Sequence, residues 1–95
     1  MSRVIWTKEA VRDVERLVDF LEGKNPGAAM DARYAIIHAA SILEQFPDVG
    51  LIVRQDPLTR ELVTSFGSSG YVLRYRYAPD NRVVIVRVWH GREDR

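Results

Sequence analysis

The sequence predicts an α+β domain, β-α-α-β-β-β, with a helical hairpin packed on one face of an antiparallel sheet. Three observations predict it. Helix-period apolar residues fill two consecutive segments between Lys8 and Phe46, and three strand-like runs follow between Arg60 and His90. The connections within each group are also short enough to force antiparallel neighbours. With 95 residues, 46% of them apolar, and no repeat, the chain reads as a single domain over 1–95 with one small core.

Arg3-Val4-Ile5-Trp6 is β-branched and aromatic and reads as a short strand. Thr7 follows as a helix N-cap, with Glu9 in the first turn, where the helix dipole favours a carboxylate. From Lys8 to about Glu22, Ala10, Val11, Val14, Leu17, Val18 and Leu21 recur at three- and four-residue spacing. Arg12, Asp13, Glu15, Arg16, Asp19 and Glu22 fill the opposite, wet side. Phe20 lies off the apolar stripe and reads as a flanking core contact. Gly23-Lys24-Asn25-Pro26 supplies a C-terminal glycine, an N-cap and a proline for the first helical position, so one helix ends and another begins. The second helix, Pro26 to about Phe46, carries Ala29, Ala32, Ile36, Ala39, Ala40 and Leu43 on a broad stripe. Its segment 35–40 is apolar nearly all round, which predicts cover on more than one side. His38 within that segment reads as a structural histidine.

Pro47-Asp48-Val49-Gly50 stops the second helix. The segment to Thr59, with Asp56-Pro57, reads as a loop holding a short extended piece at Leu51-Ile52-Val53. Strand signals follow at Arg60 to Phe66, Tyr71 to Tyr77 and Arg82 to His90, joined by Gly67-Ser68-Ser69-Gly70 and Ala78-Pro79-Asp80-Asn81. In the middle strand Tyr71, Leu73, Tyr75 and Tyr77 share one face, and Val72, Arg74 and Arg76 the other. In the last, alternation places Val83 and Ile85 on one side and Val84, Val86 and Val88 on the other, so both sides are apolar and the strand belongs inside the sheet. Such a strand holds Arg87, Trp89, His90 and Arg92 on a rigid support.

The chain has no cysteine, which removes disulfides, thiolate metal sites and thiol nucleophiles. No metal or cofactor is expected. The N-terminal residues lack a signal-peptide apolar stretch, and the longest aliphatic run, Val83 to Val86, is far too short for a bilayer, so a soluble cytoplasmic protein without a membrane partner is expected. Net charge is +1 but unevenly spread: residues 1–48 carry six basic and eight acidic side chains, and residues 49–95 carry eight and five. All eight are Arg: 54, 60, 74, 76, 82, 87, 92 and 95. A guanidinium fork suits carboxylates and phosphates alike, so an anionic partner is implied. The sheet face away from the helices would bear Arg74 and Arg76, with Arg87 as a third candidate.

The order of elements, together with Trp6-Thr7, Asn25-Pro26, Phe46-Pro47-Asp48-Val49-Gly50, Arg60-Glu61-Leu62, Gly70-Tyr71-Val72-Leu73-Arg74-Tyr75 and the closing Arg87-Val88-Trp89-His90-Gly91-Arg92, resembles the RelE/ParE family of bacterial toxins. The resemblance spans essentially the whole chain. It implies the toxin half of a type II toxin–antitoxin pair, neutralised by a cognate antitoxin whose C-terminal segment wraps the toxin. The family divides between mRNA cleavage on the ribosome and inhibition of DNA gyrase, so fold alone does not choose between them. Ribosome-dependent cleavage needs a base, an acid for the leaving oxygen and cations on the phosphate. RelE-like members supply several of these with lysines around the second strand, whereas this chain has only Lys8 and Lys24. That departure favours the gyrase-directed branch.

In that reading Arg87, Trp89, His90 and Arg92 contact the target, and the tail 92–95 extends the contact. Val11, Val14, Val18, Arg74 and Arg76 receive the antitoxin. In the ribonuclease alternative Arg60, Arg74, Arg87 and His90 carry the chemistry, with Glu61 beside them. Arg60 and Glu61, as strand neighbours, point to opposite faces and do not readily converge on one phosphate. A His that closes a strand is more often a hydrogen-bonded structural residue than an acid. A further alternative is an antitoxin-binding module without toxicity, which growth on expression without antitoxin would reveal.

Overall fold

Seven elements form in the computed structural model, which describes residues 2–64 and 70–93. They are β1 (Arg3–Trp6), α1 (Lys8–Glu22), α2 (Pro26–Gln45), β2 (Leu51–Val53), β3 (Asp56–Val63), β4 (Tyr71–Ala78) and β5 (Arg82–His90). Both helices start as their sequences require. Thr7 Oγ1 accepts the Ala10 N–H at 3.1 Å, and Asn25 Oδ1 accepts those of Gly27 and Ala28 at 3.1 and 3.2 Å, ahead of Pro26.

The strands form one five-stranded sheet in the order β1-β5-β4-β3-β2. Four of them pair antiparallel, but β1 lies parallel to β5, Val4 opposite Val83 and Trp6 opposite Ile85. The sheet is therefore mixed, not wholly antiparallel: β1 and β5 stand at opposite ends of the chain, and no short connection dictates their relative direction. The expected loop at Asp56-Pro57 is instead the start of β3, which pairs with β2 through a register shift at Ile52/Val53. An irregular outer hairpin is where a sheet accommodates a proline. Phe66 and the connection 67–69 lie outside the described residues. The turn between β4 and β5 places Asn81 at φ 62°, a left-handed conformation that asparagine tolerates.

The helices cover one face of the sheet. Tyr71, Leu73 and Tyr75 of β4 and Val83, Ile85 and Val88 of β5 meet Ala10 and Leu17 of α1 and Ala32, Ile36, Ala39 and Leu43 of α2 in one buried cluster. Each fully buried Ile or Leu contributes about 1.5–3 kcal/mol over the exposed side chain. The opposite edge of α2 carries Met30, Tyr34 and Ile37 in solvent, so the apolar character of 35–40 reflects a second, uncovered side.

A β-bulge corrects the expected sidedness of β5. Arg74 faces Arg87, yet the next pair is Tyr75 with Ile85, which leaves Val86 as an extra residue. Val88 therefore joins Val83 and Ile85 on the helix side instead of sharing a face with Val84 and Val86. Arg87 and Trp89 turn to the open side with Arg74 and Arg76. Thr7 Oγ1 donates to the Val86 carbonyl at 3.1 Å, and Asp13 Oδ2 accepts the Val88 N–H at 2.9 Å, so two residues at the start of α1 stitch the bulge.

Candidate functional site

On the open face, β3, β4 and β5 form a hollow of about 620 Å³ lined by Arg74, Arg76 and Arg87 with Val53, Gln55, Asp56, Thr59 and Val86. Each of these three guanidinium groups meets a carboxylate of the same chain. Arg74 Nε and Nη2 donate to Glu61 Oε2 at 2.9 and 2.7 Å, and Arg76 Nη2 reaches Asp56 Oδ2 at 3.3 Å. Arg87 makes a two-pronged contact with Asp13, Nε to Oδ2 at 2.7 Å and Nη2 to Oδ1 at 3.2 Å.

Asp13, which holds Arg87 at this site, is a residue that the pattern of charges misplaced. It is 5% exposed, not part of the wet face of α1. The signal was present, because position 13 lies three residues after Ala10 and four before Leu17, on the buried stripe. Burial pushes its carboxyl upward, but hydrogen bonds from Arg87 and the Val88 N–H, with the charges of Arg87 and Arg16, outweigh this and hold it below the ordinary carboxylate value.

Trp89 lies between Arg74 and Arg87, whose Cζ atoms stand 4.9 and 5.0 Å from its ring centroid. It is only 8% exposed. The structure thus makes Trp89 a buried platform for the two arginines, and Arg87 is held by Asp13 of α1.

The four candidates for phosphoryl chemistry do not converge. Arg60 Nη1 donates to the carbonyls of Asp48 and Gly50, both at 3.0 Å, and so clamps the turn after α2. The Gly50 N–H in turn donates to the buried Tyr75 hydroxyl at 2.9 Å. Arg74 and Arg87 share the open face. His90 points the other way, edge-on to Tyr71 with ring centroids 5.5 Å apart, on the helix side of the sheet. Its Nδ1 accepts the Arg92 backbone N–H at 3.1 Å, and the backbone N–H of His90 donates to Glu93 Oε2 at 3.2 Å. Glu61 faces Arg74 and Arg60 faces Tyr75, on opposite sides as alternation requires.

His90, Arg92 and Glu93 border a second cleft, about 360 Å³, between the C-terminal half of α1 and the ends of β4 and β5. Arg16 ion-pairs with Glu93 and also lies 3.5 Å from Asp13. The sequence residues assigned to an antitoxin separate: Val11 is 44% exposed, Val14 is half-buried against the core and Val18 is 1% exposed. Val18 is therefore interior and presents no surface, because α1 turns it inward between Val14 and Leu21. Among the described residues no three His, Asp or Glu side chains gather to hold a metal ion, and no helix is long and apolar enough to cross a membrane.

A sequence model of the family described as ParE toxin of type II toxin-antitoxin system, parDE, matches residues 4–95. The chain belongs to the ParE toxin family. It is 43% identical to Toxin RelE3 of Caulobacter vibrioides over 95 residues, covering all of both chains, and 37% identical to Toxin RelE1 of the same organism over 92 residues, 97% of this chain and 96% of the relative. A solved structure titled Chromosomal ParDE TA system from P. aeruginosa superposes with a TM-score of 0.77, covering 95% of this chain and 96% of the other. At 21% identity that likeness concerns the fold. The family is one of toxins paired with a cognate antitoxin, and the ParE-type fold agrees with the α+β arrangement read from the sequence.

Proposed function

We propose that this ParE-family toxin acts by binding DNA gyrase and blocking its supercoiling activity in the cytoplasm, without making or breaking a bond. One observation carries the reading: His90, the side chain suited to proton transfer at neutral pH, lies on the helix side of the sheet, while Arg74 and Arg87 lie on the other. A phosphate held by those arginines is out of reach of the histidine, and catalysis needs its acid within hydrogen-bonding distance of the leaving oxygen. The open-face guanidinium groups also have carboxylate partners within the chain, which lowers their attraction for a phosphodiester backbone.

The RelE names of the Caulobacter relatives favour the alternative, ribosome-dependent mRNA cleavage. Both activities are to be assayed side by side with the purified protein: gyrase supercoiling, and cutting of mRNA in translating ribosomes. Inhibition of supercoiling without cleavage is the expected result. Cleavage that disappears in the His90→Gln variant, with gyrase untouched, would reverse the assignment. Growth unaffected by expression without antitoxin would leave only an antitoxin-binding module. For that partner, the exposed Val11 and, on the open face, Arg74 and Arg76 of β4 are the proposed contacts; charge reversal at both arginines should weaken the complex at least tenfold, about 1.4 kcal/mol.

A further inference from the structure

We propose that the outer face of α2 is a docking surface for a second copy of this chain, the two helices lying parallel about a two-fold axis that runs along them. The inference goes beyond the choice of target, because it concerns the association of the toxin with itself. An apolar stripe supplies the contact, and the two charges that flank it determine the occupant.

Met30, Tyr34 and Ile37 recur at four- and three-residue spacing, so they share one side of α2 within about 60° of one another. They are 74%, 73% and 53% exposed, while Ala29, Ala32, Ile36 and Ala39 on the other side are buried against the core. The Tyr34 ring stacks on His38 one turn further on, with centroids 6.1 Å apart and planes 4° from parallel. A ring already held in this way has less rotamer freedom to give up on binding. Tyr and Met are also residue types enriched where proteins meet.

Charge selects the occupant. Asp31 and Arg33 stand two positions apart, about 200° around the helix, so they lie on opposite flanks of the stripe and do not face each other. Both are exposed, and neither forms an ion pair among the described residues, in contrast to Arg74, Arg76 and Arg87 of the open face. A two-fold axis parallel to α2 lays the Arg33 flank of each copy against the Asp31 flank of the other, about 3 Å apart in height, and does so twice. An antiparallel pair centred on the stripe instead brings each flank against its own kind, Arg33 beside Arg33 and Asp31 beside Asp31. The parallel pair is therefore complementary to itself in charge and apolar at its centre. Three large side chains from each copy make a contact at the small end of specific interfaces, below about 1,200 Å², so the association is weak and concentration-dependent.

The test follows the isolated full chain by sedimentation equilibrium, with the urea midpoint and the affinity for the cognate antitoxin measured on each variant. Wild-type protein should show a monomer–dimer equilibrium. Tyr34→Glu should raise its dissociation constant at least tenfold and leave the midpoint close to the wild-type value, since the side chain is exposed. Asp31→Arg and Arg33→Asp should each stay monomeric where the wild type is dimeric, because like charges then meet on both flanks. An equimolar mixture of these two variants should associate as the wild type does, opposite charges facing each other again, and so should the double variant Asp31→Arg/Arg33→Asp. Wild-type protein that is monomeric up to about 1 mM overturns the proposal. A dimer that Tyr34→Glu leaves intact has its contact elsewhere and overturns it too. A mixture that stays monomeric, or that binds far more tightly than the wild type as antiparallel helices would, overturns the two-fold arrangement. Monomeric wild-type protein whose antitoxin affinity falls in Tyr34→Glu assigns the stripe to the antitoxin and likewise overturns the proposal.

Discussion

The two faces of the sheet are built from the same strands and are held by different physics. Towards the helices, Tyr75, Ile85 and Val88 are wholly buried and stabilise through apolar area removed from water. Away from them, Arg74, Arg76 and Arg87 are partly or largely solvated and pair with Glu61, Asp56 and Asp13. The difference teaches that a count of arginines is not a measure of positive charge on offer. The second half of the chain reads as basic, yet the fold returns much of that charge to its own carboxylates. It also shows that guanidinium–carboxylate pairs differ in weight: Asp13, on the inner side of α1, is buried, whereas Asp56 is about half in solvent.

The comparison breaks most visibly if the helix side is not where stability resides. Ile85→Ala should lower the unfolding free energy by about 3 kcal/mol, because a buried aliphatic side chain is lost and its cavity only partly collapses. A loss below about 1 kcal/mol in urea unfolding would show that the cluster is loosely packed.

Asp13→Ala should come next, at about 2 kcal/mol, since it strips the buried Val88 N–H of its acceptor and frees Arg87 from α1. The same residue sharpens the comparison through pH. A carboxyl held low in the folded state contributes fully above its unfolded value of 3.8, and that contribution is lost as pH falls through the lower folded value. Thermal melts from about pH 5 down to about pH 2 should therefore drop less steeply in Asp13→Asn than in the wild type. The remaining slope falls to Asp56, held low first by its hydrogen bond from Thr59, and Asp80, held low first by Arg82. Equal slopes would remove Asp13 from the acid response.

The smallest effects belong to the open face. Arg74→Ala should cost less than about 1 kcal/mol, yet shift Trp89 fluorescence, because a cation leaves the indole ring. Arg76→Ala should leave the urea midpoint where it is, since both side chains of its pair with Asp56 are about half in solvent. A large loss in Arg76→Ala would mean that the open face is a structural network.

The helices and the last two strands were legible because their information is local: Thr7 and Asn25 cap, Gly23 and Pro26 punctuate, and period-two alternation marks β4. The parallel pairing of Val4 with Val83 was not, since nothing in either segment encodes the direction of a neighbour almost eighty residues away. The bulge at Val86 was hidden for a related reason. Its stitches come from Thr7 and Asp13, and a run of four β-branched residues looks equally regular with or without an extra member. The site suffered accordingly: Trp89 and His90, read together as one contact, lie on opposite sides of the sheet, and Phe20, read as a flanking core contact, stands at the edge of the cleft. Arg60 was misread because its acceptors are the carbonyls of Asp48 and Gly50, which side-chain chemistry does not announce.

The placement of β5 between β1 and β4 bears on when the molecule can begin to act. An interior strand of the sheet is also the last in chain order, and it supplies Val83, Ile85 and Val88 to the interior. While residues 82–90 are still untranslated, β1 lacks its partner strand and α1 the strand it packs on, so a ribosome-bound or prematurely terminated chain holds an unfinished core. At about 5–20 residues per second these 95 residues take several seconds to read. Completion of the fold is thereby deferred to the end of that interval, and a truncated product that stops before Arg82 has neither the five-stranded sheet nor the cleft.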